Sequence, residues 1–139
     1  MKHFILLGLL AITLAAHAAD PAADTFTGHF EPAKHTKSPF TLDVTQTGKT
    51  AISSFSAGNA DGSGVAPDGD GAGALNAKGD LEFKWTDTFD NAGTATLRRE
   101  GKLFHLSMKV SKATEPRAMS FYGEVILKRT SMKPQMSTR

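Results

Sequence analysis

The stretch Leu103-Phe-His-Leu-Ser-Met-Lys-Val-Ser111 alternates between apolar and polar side chains. A period of two places successive side chains on opposite faces of the backbone and is typical of a half-buried β-strand. We therefore predict a strand with His105 on its solvent face and an apolar face directed at the core. The core-facing side chains are Phe104, Leu106, Met108 and Val110.

The same alternation recurs on both sides of this strand and is interrupted by short turns that contain glycine. Eight strands are predicted: Thr25–Phe30, Phe40–Gln46, Thr50–Ala57, Gly71–Ala77, Leu81–Thr86, Thr94–Arg99, Leu103–Ser111 and Ala118–Arg129. Short connections favour pairing of sequential strands, and closure of eight antiparallel strands removes exposed sheet edges. We predict an all-β fold, an eight-stranded antiparallel up-and-down barrel, with a two-sheet β-sandwich as the alternative.

The first residues of the chain form a separate segment. A basic start is followed by an apolar run from Phe4 to Ala16 and by the small residues of Ala16-His-Ala18, which is the pattern of a secretory signal peptide. The run is shorter than the roughly 20 residues of a membrane-spanning helix. We predict a signal peptide over residues 1–18, one barrel domain over residues 19–129 and a flexible basic tail over residues 130–139. The exported chain is expected to be periplasmic or secreted.

Composition restricts the kinds of partner. The chain has no cysteine, so neither a disulfide framework nor a lipid anchor built on cysteine is expected, and no membrane anchor is predicted. Residues 58–91 hold seven acidic and two basic side chains, whereas residues 92–139 hold ten basic and three acidic ones. Because the basic residues are scattered and an exported chain meets little nucleic acid, we predict no nucleic-acid partner.

Three runs of the chain share the order strand, glycine turn, strand, with Trp85 near a strand end. These runs are Val44–Ile52, Gly73–Asp87 and Asn91–Leu97. The pattern resembles that of avidin-like and other calycin-type small up-and-down barrels. The resemblance implies a barrel with a binding site in its interior or at its rim. It implies no specific ligand and no cofactor, and the chain lacks the Gly-x-Trp start of lipocalins.

A loop rich in glycine and aspartate is predicted from Gly58 to Asp70. Counted from Asn59, its oxygen-bearing side chains and Gly64 partly match the spacing of an EF-hand calcium loop. The twelfth position is Asp instead of Glu and the flanks are strands, so a solvated loop is favoured and no metal site is predicted. We predict that this loop binds a partner through Asn59, Asp61, Ser63, Asp68 and Asp70.

No catalytic constellation emerges from the sequence. Ser63 lacks the glycine two residues earlier that a nucleophile elbow requires. His29 and His105 fall on predicted outer faces and His35 falls in a loop, so three zinc ligands are not brought together by pattern alone. Asp87 and its neighbours fit a turn. We therefore predict no catalytic residue and no enzymatic activity.

Four aromatic side chains either line a ligand pocket or fill the core: Phe83, Trp85, Phe104 and Phe121. Large inward residues in most strands favour a filled interior. We therefore predict an exported, non-enzymatic binding protein that recognises a protein partner, in the manner of inhibitors or immunity proteins, through loops on the barrel. The alternatives are a carrier of a small apolar ligand with an apolar interior and a calcium-binding loop module.

Overall fold

The structure, a computed structural model, describes residues 26–135 and consists of eight strands and one short 3-10 helix. The strands are β1 (Gly28–Pro32), β2 (Phe40–Thr47), β3 (Thr50–Ala57), β4 (Asp68–Leu75), β5 (Leu81–Asp87), β6 (Ala92–Glu100), β7 (Leu103–Lys112) and β8 (Glu124–Ser131). Each strand pairs antiparallel with the next, and β8 pairs with β1 to close a barrel. The predicted all-β up-and-down barrel is confirmed. The predicted signal peptide and residues 136–139 of the predicted tail lie outside the described residues.

Alternate positions of the strands fill the barrel with apolar side chains. Phe104, Leu106 and Met108 of β7 are buried, as the alternation predicts. Val110 has the same parity but is 36% exposed, because the β7–β8 ladder ends at Ser107 opposite Glu124. Within residues 26–135, no helix has the length and apolar character to cross a bilayer.

Strand β4 contributes little side-chain volume to the interior. Three of its four inward positions are Gly69, Gly71 and Gly73, and the fourth is Leu75. A Cβ added to Gly69 would lie 2.1 Å from Cζ of Phe55 on the neighbouring strand β3. A Cβ at Gly71 would lie 2.7 Å from Cδ2 of Phe83 on β5. The glycines therefore make room for two aromatic rings that come from the strands on either side.

The start of the last predicted strand, Ala118–Arg129, differs from the prediction. Residues 118–121 belong to a 3-10 helix (Pro116–Phe121) instead of a strand. Glu115 caps this helix by accepting a hydrogen bond from Arg117 N, and Pro116 suits its first position. Ala118 and Phe121, three residues apart, both reach the core because a 3-10 helix has three residues per turn.

His29 also departs from its prediction as an exposed residue. It lies on the outer face of the barrel, yet it is only 7% exposed. Its Nδ1 lies 2.7 Å from Oδ1 of Asp43 on β2, and the backbone N of Gln135 donates to the same oxygen at 2.6 Å. The chain beyond β8 thus returns over β1 and β2. Strand β8 extends through Ser131, two residues past the predicted end of the barrel domain.

Candidate functional site

The two ends of the barrel differ in the length of their connections. One end, here called the open end, carries the three longest connections, formed by residues 33–39, 58–67 and 113–123, together with the turn of residues 88–91. The opposite, closed end carries short turns formed by residues 48–49, 76–80 and 101–102. Gly48 and Gly101 take positive φ angles of 61° and 63° there, as tight hairpin turns require. Binding surfaces are most often built from loops on a rigid scaffold, so the open end is the candidate functional site.

Hydrogen bonds join the first three connections of the open end. The backbone N of Ala60 donates to the carbonyl of Lys37 at 2.8 Å, and Ser38 Oγ donates to Asn59 Oδ1 at 3.0 Å. Thr88 N donates to the Asp68 carbonyl at 2.8 Å at the start of β4. The β1–β2, β3–β4 and β5–β6 connections are therefore held in one arrangement.

The third connection, which is the β5–β6 turn, is hydrogen-bonded to the fourth. Thr114 Oγ1 donates to the carbonyl of Asp90 at 2.8 Å, and Lys112 Nζ lies 2.7 Å from Asp90 Oδ2. Asn91 is fully buried, and its Oδ1 accepts from Glu115 N at 2.8 Å. All four connections thus form one continuous surface instead of independent loops.

Asp87 is the central acceptor of this surface. Its Oδ1 accepts from the backbone N of Phe89 and of Asn91, each at 2.9 Å. Its Oδ2 accepts from Asn91 Nδ2 at 2.8 Å and from the Tyr122 hydroxyl at 2.5 Å. Burial acts to raise the pKa of Asp87, but these hydrogen bonds outweigh it and hold the pKa below its ordinary value. A carboxylate with four donors is a structural acceptor, which agrees with the prediction that Asp87 belongs to a turn.

Three of the predicted partner-binding residues lie in the β3–β4 connection. Asp61 is exposed, and its Oδ1 accepts from Ser63 Oγ at 2.6 Å and from Ser63 N at 3.0 Å. These hydrogen bonds keep the pKa of Asp61 below its ordinary value. Asn59 Nδ2 donates to the Ser63 carbonyl at 3.0 Å. The connection is therefore an Asx-type turn that displays the Asp61 carboxylate at the open end.

The other two predicted residues, Asp68 and Asp70, lie in β4 instead of in the loop. They alternate with the inward glycines, so both carboxylates are on the outer face of the barrel. Ser56 Oγ donates to Asp68 Oδ1 at 2.6 Å, and Asp70 is opposite Ser54 in the β3–β4 ladder. Among the described residues, no group of three or more His, Cys, Asp or Glu side chains could hold a metal ion.

The four predicted ligand-lining aromatics are parts of the packed core. Phe83, Trp85, Phe104 and Phe121 are all buried, and Trp85 Nε1 donates to the Thr94 carbonyl at 3.1 Å. Tyr122, another aromatic residue that could line such a pocket, packs on Trp85 at the open end, with its ring centroid 4.5 Å from that of Trp85. Ser53 Oγ is the single buried side-chain polar atom in residues 26–135 that has no hydrogen-bond partner.

The open end also has a groove that the sequence prediction missed. The β1–β8 ladder stops at Pro32 opposite Leu127, and one further hydrogen bond joins Ala33 N to the carbonyl of Ile126. The β1–β2 connection then turns towards Ala60 and leaves the first part of β8 uncovered. The result is a groove of about 810 Å³, here called the β8 groove, between residues 33–38 and residues 123–126.

Both ionic and apolar groups line the β8 groove. Leu103 and Ile126 project from the outer faces of β7 and β8 and remain 41% and 42% exposed. An outward apolar residue in an alternating strand was the available sequence signal, but only the pairing of β7 with β8 places these two side by side. The charged lining residues are Lys34, Glu100 and Glu124.

The sequence matches no protein-family model and no curated protein. The pattern-level resemblance to avidin-like and calycin-type barrels therefore stays a prediction. The closed barrel and the geometry of its open end are the observations from which function can be argued.

Proposed function

We propose that the protein is an exported, non-enzymatic binding protein that recognises a protein partner through the open end of the barrel. The observation that supports this proposal most is the network that ties four connections into one surface. A preorganised surface loses little conformational entropy on binding, which favours recognition of a folded partner. The strand connections described at the closed end are turns of two to five residues.

Packing of the interior favours this function over the carrier of a small apolar ligand. An eight-stranded barrel is just wide enough for either side chains or one small ligand. Here the inward positions of β5 and β7 hold large buried side chains, and the Phe55 ring lies where a side chain of Gly69 would be. A ligand would have to displace these packed groups, whereas a protein partner would bind outside them.

Charge on the open end suits a protein partner. Lys34 and Lys37 lie on the first connection and Asp61 lies on the second, so charges of both signs are exposed on neighbouring loops. Such charges at the rim of an interface mainly raise the rate of encounter, and this effect weakens as ionic strength rises. We therefore expect partner binding to be weaker at high salt.

Site-specific photocrosslinking tests the proposal. A photoreactive residue is placed at Lys37, Ala66 or Ala113 on the open end, and matched controls carry it at Lys49 or Lys78 on the closed end; all five positions are exposed. After export in the native cell, we expect one protein adduct from the open-end positions and none from the controls. Adducts from the closed end, or no adduct at all, would contradict the proposal. Native mass spectrometry that found a small molecule retained in the purified protein would favour the carrier instead.

A further inference from the structure

The β8 groove combines exposed apolar area with charged groups of both signs. Of the large hydrophobic side chains that remain exposed in residues 26–135, Leu103 and Ile126 are the two that share one groove. Leu103 is opposite Lys128 and Ile126 is opposite His105 in the β7–β8 ladder, so Leu103 and Ile126 are diagonal neighbours on the same face. Adjacent exposed hydrophobics in a concave surface are typical of an interaction site.

The carboxylates of the groove are already paired within the chain. Glu100 Oε1 lies 2.5 Å from Arg98 Nη2. Glu124 accepts from Ser107 Oγ at 2.9 Å and is in close contact with Nε2 of His105. These contacts hold the pKa of both carboxyls below its ordinary value, chiefly through the hydrogen bonds from Arg98 and Ser107. The carboxylates on this side of the groove are therefore already engaged by groups of the same chain.

The opposite wall of the groove offers free positive charge. Lys34 lines the groove from the β1–β2 connection, and in the described part of the chain it forms no ion pair. His35 lies beside it on the same wall, and Lys37 follows two residues later. The wall thus has a cation that no carboxylate neutralises, next to a floor with two apolar side chains.

We propose that the β8 groove binds a segment of the protein partner in which a large apolar side chain stands next to acidic residues. The apolar side chain would pack against Leu103 and Ile126, and the acidic residues would face Lys34. This inference rests on the proposed function and narrows it to one part of the open end. Burial of the apolar anchor supplies most of the affinity, and the charge pair selects acidic over basic segments.

A library of random displayed peptides provides the test. The library is selected on the immobilised protein in the presence of excess soluble Ile126→Glu variant, which removes peptides that bind elsewhere. We expect the selected peptides to combine Leu, Ile or Phe with neighbouring Asp or Glu. Synthetic copies of them should bind Ile126→Glu and Lys34→Glu at least about tenfold more weakly than wild type.

Matched variants on other strands are the controls. Ile52 is 52% exposed on the outer face of β3, and Lys84 is exposed on β5, so Ile52→Glu and Lys84→Glu introduce the same charges away from the groove. These two variants should bind the peptides as wild type does, and all four should melt at similar temperatures. Selected peptides without acidic residues, equal binding to Ile126→Glu, or no enrichment would overturn the inference. If a partner is crosslinked at the open end but binds Ile126→Glu and Lys34→Glu as tightly as wild type, this inference alone is refuted and the proposed function stands.

Discussion

The Tyr122 hydroxyl donates a 2.5 Å hydrogen bond to Oδ2 of Asp87 and so joins the β7–β8 connection to the β5–β6 turn. The two residues are 35 positions apart in the chain. The Tyr122 ring also packs on Trp85 and Phe55, so one side chain both covers the core and anchors the open end. Burial and the neighbouring Asp87 carboxylate raise the pKa of Tyr122, so the hydroxyl keeps its proton and remains a donor.

Removal of this hydroxyl should lower stability without loss of the ring packing. Tyr122→Phe retains the contact with Trp85 but leaves Asp87 Oδ2 without one of its donors. A hydrogen bond to a charged group contributes about 1.5–3 kcal/mol, so we expect a loss in that range from the free energy of unfolding in urea. Tyr122→Ala should lose more, because the packing is lost as well. Equal stability of Tyr122→Phe and wild type would show that the bond does not stabilise the fold.

Low pH should lower the free energy of unfolding because Asp87 becomes protonated. Burial opposes ionisation, but the hydrogen bonds that Asp87 accepts hold its folded pKa below the ordinary 3.8. A depressed folded pKa means that the ionised carboxylate stabilises the fold above the ordinary value and that this stabilisation is lost as pH falls through the folded pKa. Asp87→Asn cannot gain a proton. We therefore expect its deficit in unfolding free energy to be greatest at neutral pH and to shrink below about pH 4. A deficit independent of pH would contradict this account.

The inward glycines of β4 should not accept a methyl group. Gly69→Ala places a Cβ on the ring of Phe55, and overpacking of this kind costs about 1–3 kcal/mol. Gly123→Ala is the matched control, because a Cβ there meets no atom within 4 Å. Its stability should stay within about 0.5 kcal/mol of wild type. In the double variant with Phe55→Leu, the two losses should be less than additive, because the smaller side chain relieves the clash. If the losses of the two single variants add up in the double variant, the strain of Gly69→Ala does not come from the Phe55 ring.

Opposite faces of β7 should respond differently to truncation. Leu106 is fully buried, and Leu106→Ala should cost about 2–5 kcal/mol. His105, on the outer face, makes only partly exposed contacts with the carboxylates of Glu100 and Glu124, so His105→Ala should cost less than about 1 kcal/mol. Urea unfolding of both variants gives the comparison, and similar losses would contradict the assignment of the two faces.

Export should remove the first eighteen residues. The apolar run and the small residues at Ala16 and Ala18 predict cleavage after Ala18. Intact mass of the protein recovered from a periplasmic fraction should correspond to a chain that begins at Ala19. A full-length species retained in the membrane would contradict this prediction.

The alternation of side chains predicted the strands and favoured the barrel, but it left a two-sheet β-sandwich as the alternative. Strict period-two patterns in β5 and β7, with short glycine turns between them, specify which face of each strand is buried and which strands are neighbours. Local pattern fails at the start of the last predicted strand. Ala118 and Phe121 would lie on opposite faces of a strand, whereas a 3-10 helix of three residues per turn, capped by Glu115, directs both to the core.

The features of the open end were decided by tertiary structure. Asp87 looks like an ordinary turn residue in sequence, and its role as a shared acceptor depends on Tyr122, which pairs with it only once the barrel closes. His29 is buried where the chain end returns over the barrel. Gln135 N donates to Asp43, the hydrogen-bond partner of His29, and these two residues are 92 positions apart. The β8 groove exists because β1 stops pairing with β8 at Leu127. Sequence determines the period and the buried face of a strand because these are local, whereas long-range register and loop contacts depend on how the closed sheet brings distant residues together.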